Sequence, residues 1–213
     1  MKIGIIGAGQ IGGTLTRRLT ALGHDVAVAN SRGPKSLAGL AAETGAKPVS
    51  VEEAAKFGDV VVVTIPQKNI SDLPHDLFAE TPDGVVIVET GNYYPRQRDG
   101  RIDGIEAGVT ESRWVAQQLN RPVIKAFGRI ALPVAGDDTR AKAILLGLID
   151  ELGFDGVDAG SLDESWRQQP ATPVYCKDFD AAGVRRALSE ASKQRKPEWR
   201  GTDNSPGNFD NPA

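Results

Sequence analysis

The sequence predicts an α/β fold in which a doubly wound, mostly parallel sheet is followed by a small C-terminal α/β unit. Three observations carry this prediction. Strand-like apolar segments alternate with segments of helical periodicity from the first residues onward. A glycine-rich turn over residues 7–12 joins the first strand to the first helix. Residues 59–65 form a β-branched run without polar alternation, which is typical of a parallel strand buried on both faces.

The first five predicted strands alternate with four predicted helices, which favours right-handed crossovers between parallel strands. The first helix carries Ile11, Leu15 and Leu19 at helical spacing and is expected to end at Gly23. The third helix has Ser50 as its cap, and Glu53 completes a Ser-x-x-Glu capping box. The predicted strands are residues 2–6, 26–29, 47–49, 59–65, 84–89, 122–127, 130–134 and 154–158, and the predicted helices are residues 11–22, 37–44, 52–57, 70–78, 112–119, 138–152 and 180–193.

Composition excludes several classes of protein. Apolar residues make up 40% of the 213 residues and charged residues 25%, as in ordinary soluble proteins. The 25 basic and 28 acidic residues give no general attraction to nucleic acid or to an anionic membrane. One cysteine and two histidines make a disulfide framework or a metal site unexpected. No apolar run is long enough to span a bilayer and no cleavage pattern follows the N-terminus, so a cytoplasmic location is expected.

The glycine-rich turn has the pattern Gly-x-Gly-x-x-Gly of a dinucleotide-binding, Rossmann-type fold. It follows an apolar strand, opens a helix and precedes a second strand, which is the context that this pattern requires. The first glycine allows the tight turn, the second lets the backbone approach a pyrophosphate, and the third lets the helix pack on the strand. The N–H groups at the start of the helix attract phosphate. The predicted cofactor-binding residues of this turn are Gly7, Gly9, Gln10, Ile11 and Gly12.

The end of the second strand decides which dinucleotide is bound. Folds that prefer NAD usually place an acidic residue there to hold the ribose hydroxyls. Here Asn30 is neutral, Ser31 offers a hydroxyl, and Arg32 and Lys35 are cations. A guanidinium binds a phosphate bidentately, whereas a carboxylate would repel it. The sequence therefore predicts NADP(H) as the cofactor, with these four residues near the 2′-phosphate.

Two further loops follow strands of the same sheet and are expected to face the nicotinamide, because ligands of such sheets gather at the carboxyl ends of the strands. Their predicted binding residues are Thr64, Ile65 and Pro66 after the fourth strand, and Thr90, Gly91 and Asn92 after the fifth.

Taken together, the glycine-rich turn, the Asn-Ser-Arg-Gly-Pro-Lys loop, and the Val-Thr-Ile-Pro and Thr-Gly-Asn-Tyr-Tyr-Pro segments resemble the NADP-dependent coenzyme F420 oxidoreductase-like family. The resemblance covers residues 1–200, and the reductase domains of membrane ferric reductases share this fold. It implies that Ser31, Arg32 and Lys35 hold the 2′-phosphate. It also implies that a deazaflavin stacks on the nicotinamide, so that hydride passes directly between the rings. Such a transfer needs no essential acid or base, and no catalytic residue is assigned.

The predicted function is therefore that of an NADP(H)-dependent oxidoreductase whose hydride acceptor is a second cofactor or small molecule, with coenzyme F420 first. Two alternatives stay open. One is an NADPH-dependent reductase of a flavin or a small carbonyl compound. The other is a non-catalytic NADPH-binding sensor or regulatory subunit, because the fold alone does not establish catalysis. A homodimer is expected because it is the commonest assembly of soluble oligomers.

Domain organisation follows from the same pattern. Residues 1–127 are predicted to form the Rossmann domain, residues 128–195 the small α/β unit, and residues 196–213, rich in Pro, Gly, Asn and Asp, a flexible tail. In related sequences the Lys-Ala-Phe segment is followed by a longer connection than the one after Phe127 here. The shorter segment predicts a more open site beside the reactive end of the cofactor.

A few single residues carry weaker expectations. Trp166, Arg167 and the glutamines that follow could bind a planar second substrate, or they could pack the C-terminal unit or a dimer contact. Cys176 is expected to be inert. Lys125 ends a buried strand near the predicted site, where a lysine commonly extends its amine to solvent.

Overall fold

The structure is a computed structural model that describes residues 1–126, 131–194, 207 and 211–212. Its strands are β1 (Lys2–Ile6), β2 (Asp25–Ala29), β3 (Lys47–Pro48), β4 (Val60–Val63), β5 (Val86–Glu89), β6 (Ile124–Lys125), β7 (Ala131–Val134) and β8 (Asp155–Asp158). Its α-helices are α1 (Gln10–Ala21), α2 (Ala38–Thr44), α3 (Val51–Ala55), α4 (Asp103–Glu106), α5 (Glu111–Leu119), α6 (Thr139–Glu151) and α7 (Ala181–Glu190).

Six strands form a parallel sheet in the order β3-β2-β1-β4-β5-β6. The register places Ile3 of β1 between Val26 of β2 and Val60 of β4. The chain therefore winds outward in one direction from β1 to β3 and in the other direction from β4 to β6. The winding direction changes between the paired strands β1 and β4. Their carboxyl ends therefore form the topological switch point, where ligands of doubly wound sheets bind. This topology confirms the predicted Rossmann-type fold class.

Alternate side chains of the strands face two separate hydrophobic cores, since successive side chains of a strand point to opposite faces. Ile5 and Val62 lie on the face that α1 covers with Leu15 and Leu19. Ile6, Val61 and Val63 lie on the opposite face, together with the alanines of α3 and with Trp114 and Val115 of α5. Val60–Val63 is buried along its whole length, which explains why its sequence shows no polar alternation.

The C-terminal unit extends the first of these cores. Strands β7 and β8 form a parallel pair, and Ala135 bridges Lys125 in the antiparallel sense, which joins the pair to β6. Leu132 of β7 and Leu145 of α6 belong to the same buried cluster as Val88 and Ile124 of the large sheet. A smaller cluster lies beneath α7. The predicted boundary after residue 127 stays a prediction, but the hydrophobic packing is continuous across it.

Two regions differ from the predicted elements. The helix predicted over residues 70–78 is wrong: Gln67–Asp72 is a short 3₁₀ turn. Leu73 that follows is extended (φ −69°, ψ 146°), because the residue before a proline, here Pro74, is disfavoured in the helical region. The polar stretch after β5 contains a π-helical turn, Pro95–Asp99, and α4, neither of which its composition predicts.

Some predicted features lie outside the described residues. These are residues 127 and 130 of the predicted strands, the shortened segment after Phe127, and the tail from residue 196 apart from Gly207, Asn211 and Pro212.

Candidate functional site

A cleft of about 640 Å³ opens at the carboxyl ends of β1, β2 and β4, across the switch point of the sheet. The turn after β1, the loop after β2 and the loop after β4 form its walls. The predicted site residues that line it are Gly7, Gly9, Asn30, Ser31, Arg32, Thr64, Ile65 and Pro66. The structure thus brings together residues that are up to 59 positions apart in the sequence and that were predicted to bind one dinucleotide.

The glycines of the turn after β1 have two different structural roles. Gly7 has φ +112°, and a Cβ there would lie 2.3 Å from the carbonyl oxygen of Thr64. A Cβ on Gly12 would lie 1.8 Å from the carbonyl oxygen of Gly7. These two positions require glycine for packing of the turn against β4. A Cβ on Gly9 would meet no protein atom within 4 Å, so this glycine leaves open the space beside the helix N-terminus.

The N-terminus of α1 presents unneutralised backbone donors. Gly9 is its N-cap, no side chain caps the helix, and its first turn carries no acidic residue. The partial positive charge of the helix end is therefore unopposed, which suits a phosphate. Gln10 and Ile11 do not line the cleft, and Gly12 is buried in the turn, so they would contribute through the backbone.

The loop after β2 is held by the side chain of Asn30. Its Oδ1 accepts the backbone N–H of Arg32 (3.0 Å), and its Nδ2 donates to the hydroxyl oxygen of Ser36 (2.9 Å). The same hydroxyl donates to the Gly33 carbonyl (2.7 Å). Asn30 thus shapes the loop that presents Ser31 and Arg32 to the cleft, a role expected of an Asx turn.

Arg32 is exposed, and no described carboxylate lies within ion-pairing distance of it or of Lys35. Arg32 lines the cleft, whereas Lys35 lies in the following 3₁₀ turn, Pro34–Leu37, outside the lining. The guanidinium is therefore available to an anionic ligand, and Lys35 is placed to act at longer range.

Thr90, Gly91 and Asn92 follow β5 and do not line this cleft. Gly91 is held by a buried ion pair: Nζ of Lys125 lies 3.2 Å from Oε1 of Glu89, and both side chains are 5% exposed or less. Oε2 of Glu89 accepts the Gly91 N–H (2.8 Å), and the Lys125 amine donates to the Gly91 carbonyl. Lys125 does not extend to solvent as expected, because its amine has a buried partner.

Further residues line the cleft but were not predicted from the sequence. Val51 and Glu52 begin α3, and Asn69, Asp72, Leu73 and Pro74 follow the loop after β4. Hydrogen bonds from its own backbone amide and from Ser50 lower the pKa of the Glu52 carboxyl, so Glu52 is anionic at neutral pH. The capping box at Ser50 marks the start of α3, and this could have placed Val51 and Glu52 at the carboxyl edge of the sheet.

Trp166 lies in a separate pocket of about 220 Å³, together with Thr110, Gln169 and Lys193. Arg167 pairs with Glu164 and stacks on the Trp166 ring at 4.5 Å. None of the described residues lines both this pocket and the cleft. Cys176 is exposed and lines neither.

The described residues contain neither a candidate membrane-spanning helix nor a candidate metal-binding cluster. No helix there is long and apolar enough to cross a bilayer. No group of three or more His, Cys, Asp or Glu side chains there could hold a metal ion.

Comparison with known proteins confirms the family resemblance. Residues 2–93 match the family described as NADP oxidoreductase, coenzyme F420-dependent. This segment contains β1 through β5 and all the residues that line the cleft. The match agrees with the predicted class of NADP-dependent oxidoreductases.

Individual relatives extend the similarity beyond this segment. The chain is 30% identical over 184 residues to the metalloreductase STEAP3 of Rattus norvegicus, covering 81% of this chain and 36% of the relative. The chain spans less than half the length of the curated relatives it matches. A hypothetical protein from Sinorhizobium meliloti superimposes with a TM-score of 0.72 at 28% identity, covering 84% of this chain and 95% of the other. A candidate F420-dependent NADP reductase from Arthrobacter has the same fold (TM-score 0.64, 21% identity), covering 78% of this chain and 87% of the other.

Proposed function

We propose that this chain binds NADP(H) in the cleft and transfers hydride between the nicotinamide and a second redox cofactor, because residues 2–93 match the family described as NADP oxidoreductase, coenzyme F420-dependent. We propose coenzyme F420 as that second cofactor. The observation that supports NADP(H) most directly is that one cleft combines a helix N-terminus without a side-chain cap and Arg32, which has no ion-pair partner among the described residues.

Different residues of the cleft would bind different parts of NADP(H). The backbone at Gly9 and the first turn of α1 would hold the diphosphate, because Gly9 leaves the approach open. Ser31 and Arg32 would hold the 2′-phosphate, and no acidic side chain stands at the end of β2 to repel it. The exposed Lys35 would strengthen this at longer range. Glu52 also lines the cleft, and its charge would disfavour phosphate beside it and leave that part of the cleft to the adenosine.

When bound, NADPH supplies a hydride. The protein then has to orient the nicotinamide and to admit the acceptor next to it, and neither task needs a side chain that exchanges a proton. The loops after β4 and β5 are proposed to do this, through Thr64, Ile65 and Pro66 on one side and Thr90, Gly91 and Asn92 on the other.

Two lines support coenzyme F420 as the acceptor: the description of the matched family and the name of the Arthrobacter structural neighbour. The second candidate acceptor is a flavin or a small carbonyl compound, which the same hydride chemistry would reduce.

Anaerobic oxidation of NADPH with a panel of acceptors tests the proposal. The panel contains coenzyme F420, free flavins and small aldehydes and ketones, with an acceptor-free reaction as the control. We expect F420 to be reduced in a one-to-one ratio with NADPH oxidised. Turnover only with flavin or carbonyl acceptors would favour the second candidate. Tight NADPH binding without turnover of any acceptor would contradict the proposal that the protein is an enzyme and would favour a non-catalytic NADPH-binding sensor.

We also propose that the protein is cytoplasmic and forms a homodimer, the commonest closed assembly. Light scattering of the purified chain over a range of concentrations measures the assembly directly. A monomer mass at all concentrations would overturn the dimer.

A further inference from the structure

A buried carboxylate joins the loops that follow β4 and β5. The Asp99 side chain has no solvent exposure. Its Oδ1 accepts the backbone N–H of Lys68 (3.2 Å), and its Oδ2 accepts the backbone N–H of Tyr94 (2.7 Å). Lys68 belongs to the turn after β4, and Tyr94 to the segment after β5. One carboxylate thus holds the backbone of both loops.

Arg98 completes this connection. Its guanidinium donates to both oxygens of Asp99 (2.9 and 2.8 Å). It also donates to the carbonyl of Asn92 (2.6 Å) and lies 5.0 Å from the centre of the Tyr94 ring. The Arg98–Asp99 pair therefore fixes the segment between Asn92 and Tyr94 as well as the start of the Gln67–Asp72 turn.

These loops belong to one half of the site. In a doubly wound sheet each half binds one mononucleotide. Arg32 and Asn30 stand at the end of β2, in the half formed by β1 to β3. The loops that Asp99 joins stand at the ends of β4 and β5, in the half where the nicotinamide mononucleotide would lie. No described contact of Asp99 reaches the half that holds Arg32.

We propose that Asp99, together with Arg98, is the positioning residue of the nicotinamide half: it sets the distance between the loops after β4 and β5 and does not touch the cofactor. This inference rests on the proposed NADP(H) site. A carboxylate suits the role because charged hydrogen bonds to backbone N–H groups are shorter and stronger than neutral ones. In an Asp99→Asn variant the amide NH₂ would replace one carboxylate oxygen. It would then face a backbone N–H that now donates to Asp99, and two donors cannot bond to each other.

The test compares two ligands on the full-length protein. Adenosine 2′,5′-bisphosphate carries the 2′-phosphate and the adenosine but no nicotinamide, whereas NADPH carries both halves. For Asp99→Asn we expect the Kd for NADPH to rise at least tenfold, while the Kd for the bisphosphate stays within twofold of the wild type. The matched control is Asp137→Asn, because Asp137 also accepts a backbone N–H (Leu162, 2.9 Å) and pairs with an arginine (Arg113, 2.9 Å), but it joins the Leu162–Gln168 turn to α5 and contacts neither Lys68 nor Tyr94. The control should change neither Kd.

The outcomes distinguish failure of the proposed NADP(H) site from failure of the positioning role of Asp99. If neither ligand binds the wild type, the proposed site itself is wrong. If the wild type binds both and Asp99→Asn weakens both equally or neither, the positioning role is overturned. If Asp99→Asn does not fold, Arg98→Lys decides, since an ammonium keeps a cation beside the buried Asp99 but cannot reproduce the paired bonds of the guanidinium to the carboxylate together with its bond to the Asn92 carbonyl. We expect Arg98→Lys to weaken NADPH binding about threefold with no change in bisphosphate binding, and unchanged NADPH binding would overturn the role.

Discussion

The glycines of the turn after β1 have different roles, which their surroundings in the structure distinguish. Gly12 is needed because a side chain would collide with the carbonyl of Gly7, so its role is in folding. Gly9 has ordinary backbone angles (φ −74°) and free space around it, so its role concerns what enters that space. The sequence pattern predicts all three glycines, but it does not say which of them the fold itself requires.

A pair of alanine variants tests this separation. Gly12→Ala is expected to lose about 1–3 kcal/mol of unfolding free energy, the usual cost of forcing atoms into a packed site. Gly9→Ala should lose at most about 1 kcal/mol of unfolding free energy, the cost of alanine in place of glycine at an N-cap, and yet bind NADPH at least tenfold more weakly. Thermal unfolding and fluorescence titration measure both quantities. Normal NADPH binding by Gly9→Ala would show that the dinucleotide does not approach α1 there.

Asn30 offers a second test at this scale, because it shapes the loop and also occupies the position where NAD-binding folds carry an acid. Asn30→Asp keeps an acceptor for the Arg32 N–H and adds a negative charge beside the 2′-phosphate. We expect the Kd for NADPH to rise about tenfold or more, or about 1.4 kcal/mol, with no loss of NADH binding. Asn30→Ala should weaken the binding of both NADPH and NADH, because it removes the side-chain hydrogen bonds that hold the loop after β2. An Asn30→Asp variant that keeps its preference for NADPH would contradict this account.

Among the elements, β5, β6 and α5 meet at the buried pair of Glu89 and Lys125. Lys125 ends β6, Glu89 ends β5, and the hydroxyl of Ser112 in α5 donates to Glu89. The sequence predicts each of these elements but not the pair, because the two residues are 36 positions apart and nothing local relates them. Arg98 and Asp99 are neighbours in the sequence, but Lys68, whose backbone N–H Asp99 accepts, is 31 positions away and only the folded sheet brings it close. The helix predicted over residues 70–78 fails for a local reason, because Pro74 outweighs the helical spacing of the apolar residues.

Lys125→Met is expected to cost about 3–5 kcal/mol in unfolding free energy, because it leaves Glu89 buried without its cation. Adding Glu89→Gln should recover part of the loss. The control is Lys142→Met: Lys142 is also buried, but its partner Asp158 is 52% exposed and can be hydrated again, so the loss should be clearly smaller. Denaturant unfolding measures all four proteins. Equal losses in the two lysine variants would mean that burial of the partner carboxylate does not matter.

Over the whole molecule, the large sheet and the C-terminal unit share one of the hydrophobic cores. Leu132, Leu145 and Leu148 belong to the same buried cluster as Val88 and Ile124, so the packing continues across the predicted boundary after residue 127. Composition and periodicity identify elements, but they carry no information on which buried faces meet. The cleft was predictable for a different reason: parallel strands of a doubly wound sheet always bring their carboxyl ends to one edge.

The shared core predicts a single cooperative unfolding transition for the whole chain. Calorimetry should give equal calorimetric and van't Hoff enthalpies. A fragment of residues 1–127 would expose the side chains that α6 covers and should bind a hydrophobic dye and fail to unfold cooperatively. Two resolved transitions in the intact chain, or a stable fragment, would contradict a common core.

The central claim is that the cleft at the switch point recognises the 2′-phosphate of NADP(H) through Arg32. The most direct measurement is a parallel titration with NADPH and NADH of the wild type, Arg32→Ala and the control Arg101→Ala, whose exposed arginine pairs with Asp103 outside the cleft. We expect the wild type and the control to bind NADPH at least tenfold more tightly than NADH, a difference of about 1.4 kcal/mol, and Arg32→Ala to lose that preference while its NADH affinity stays unchanged. Equal affinity of the wild type for the two nucleotides, or a preference that survives in Arg32→Ala, would contradict the claim.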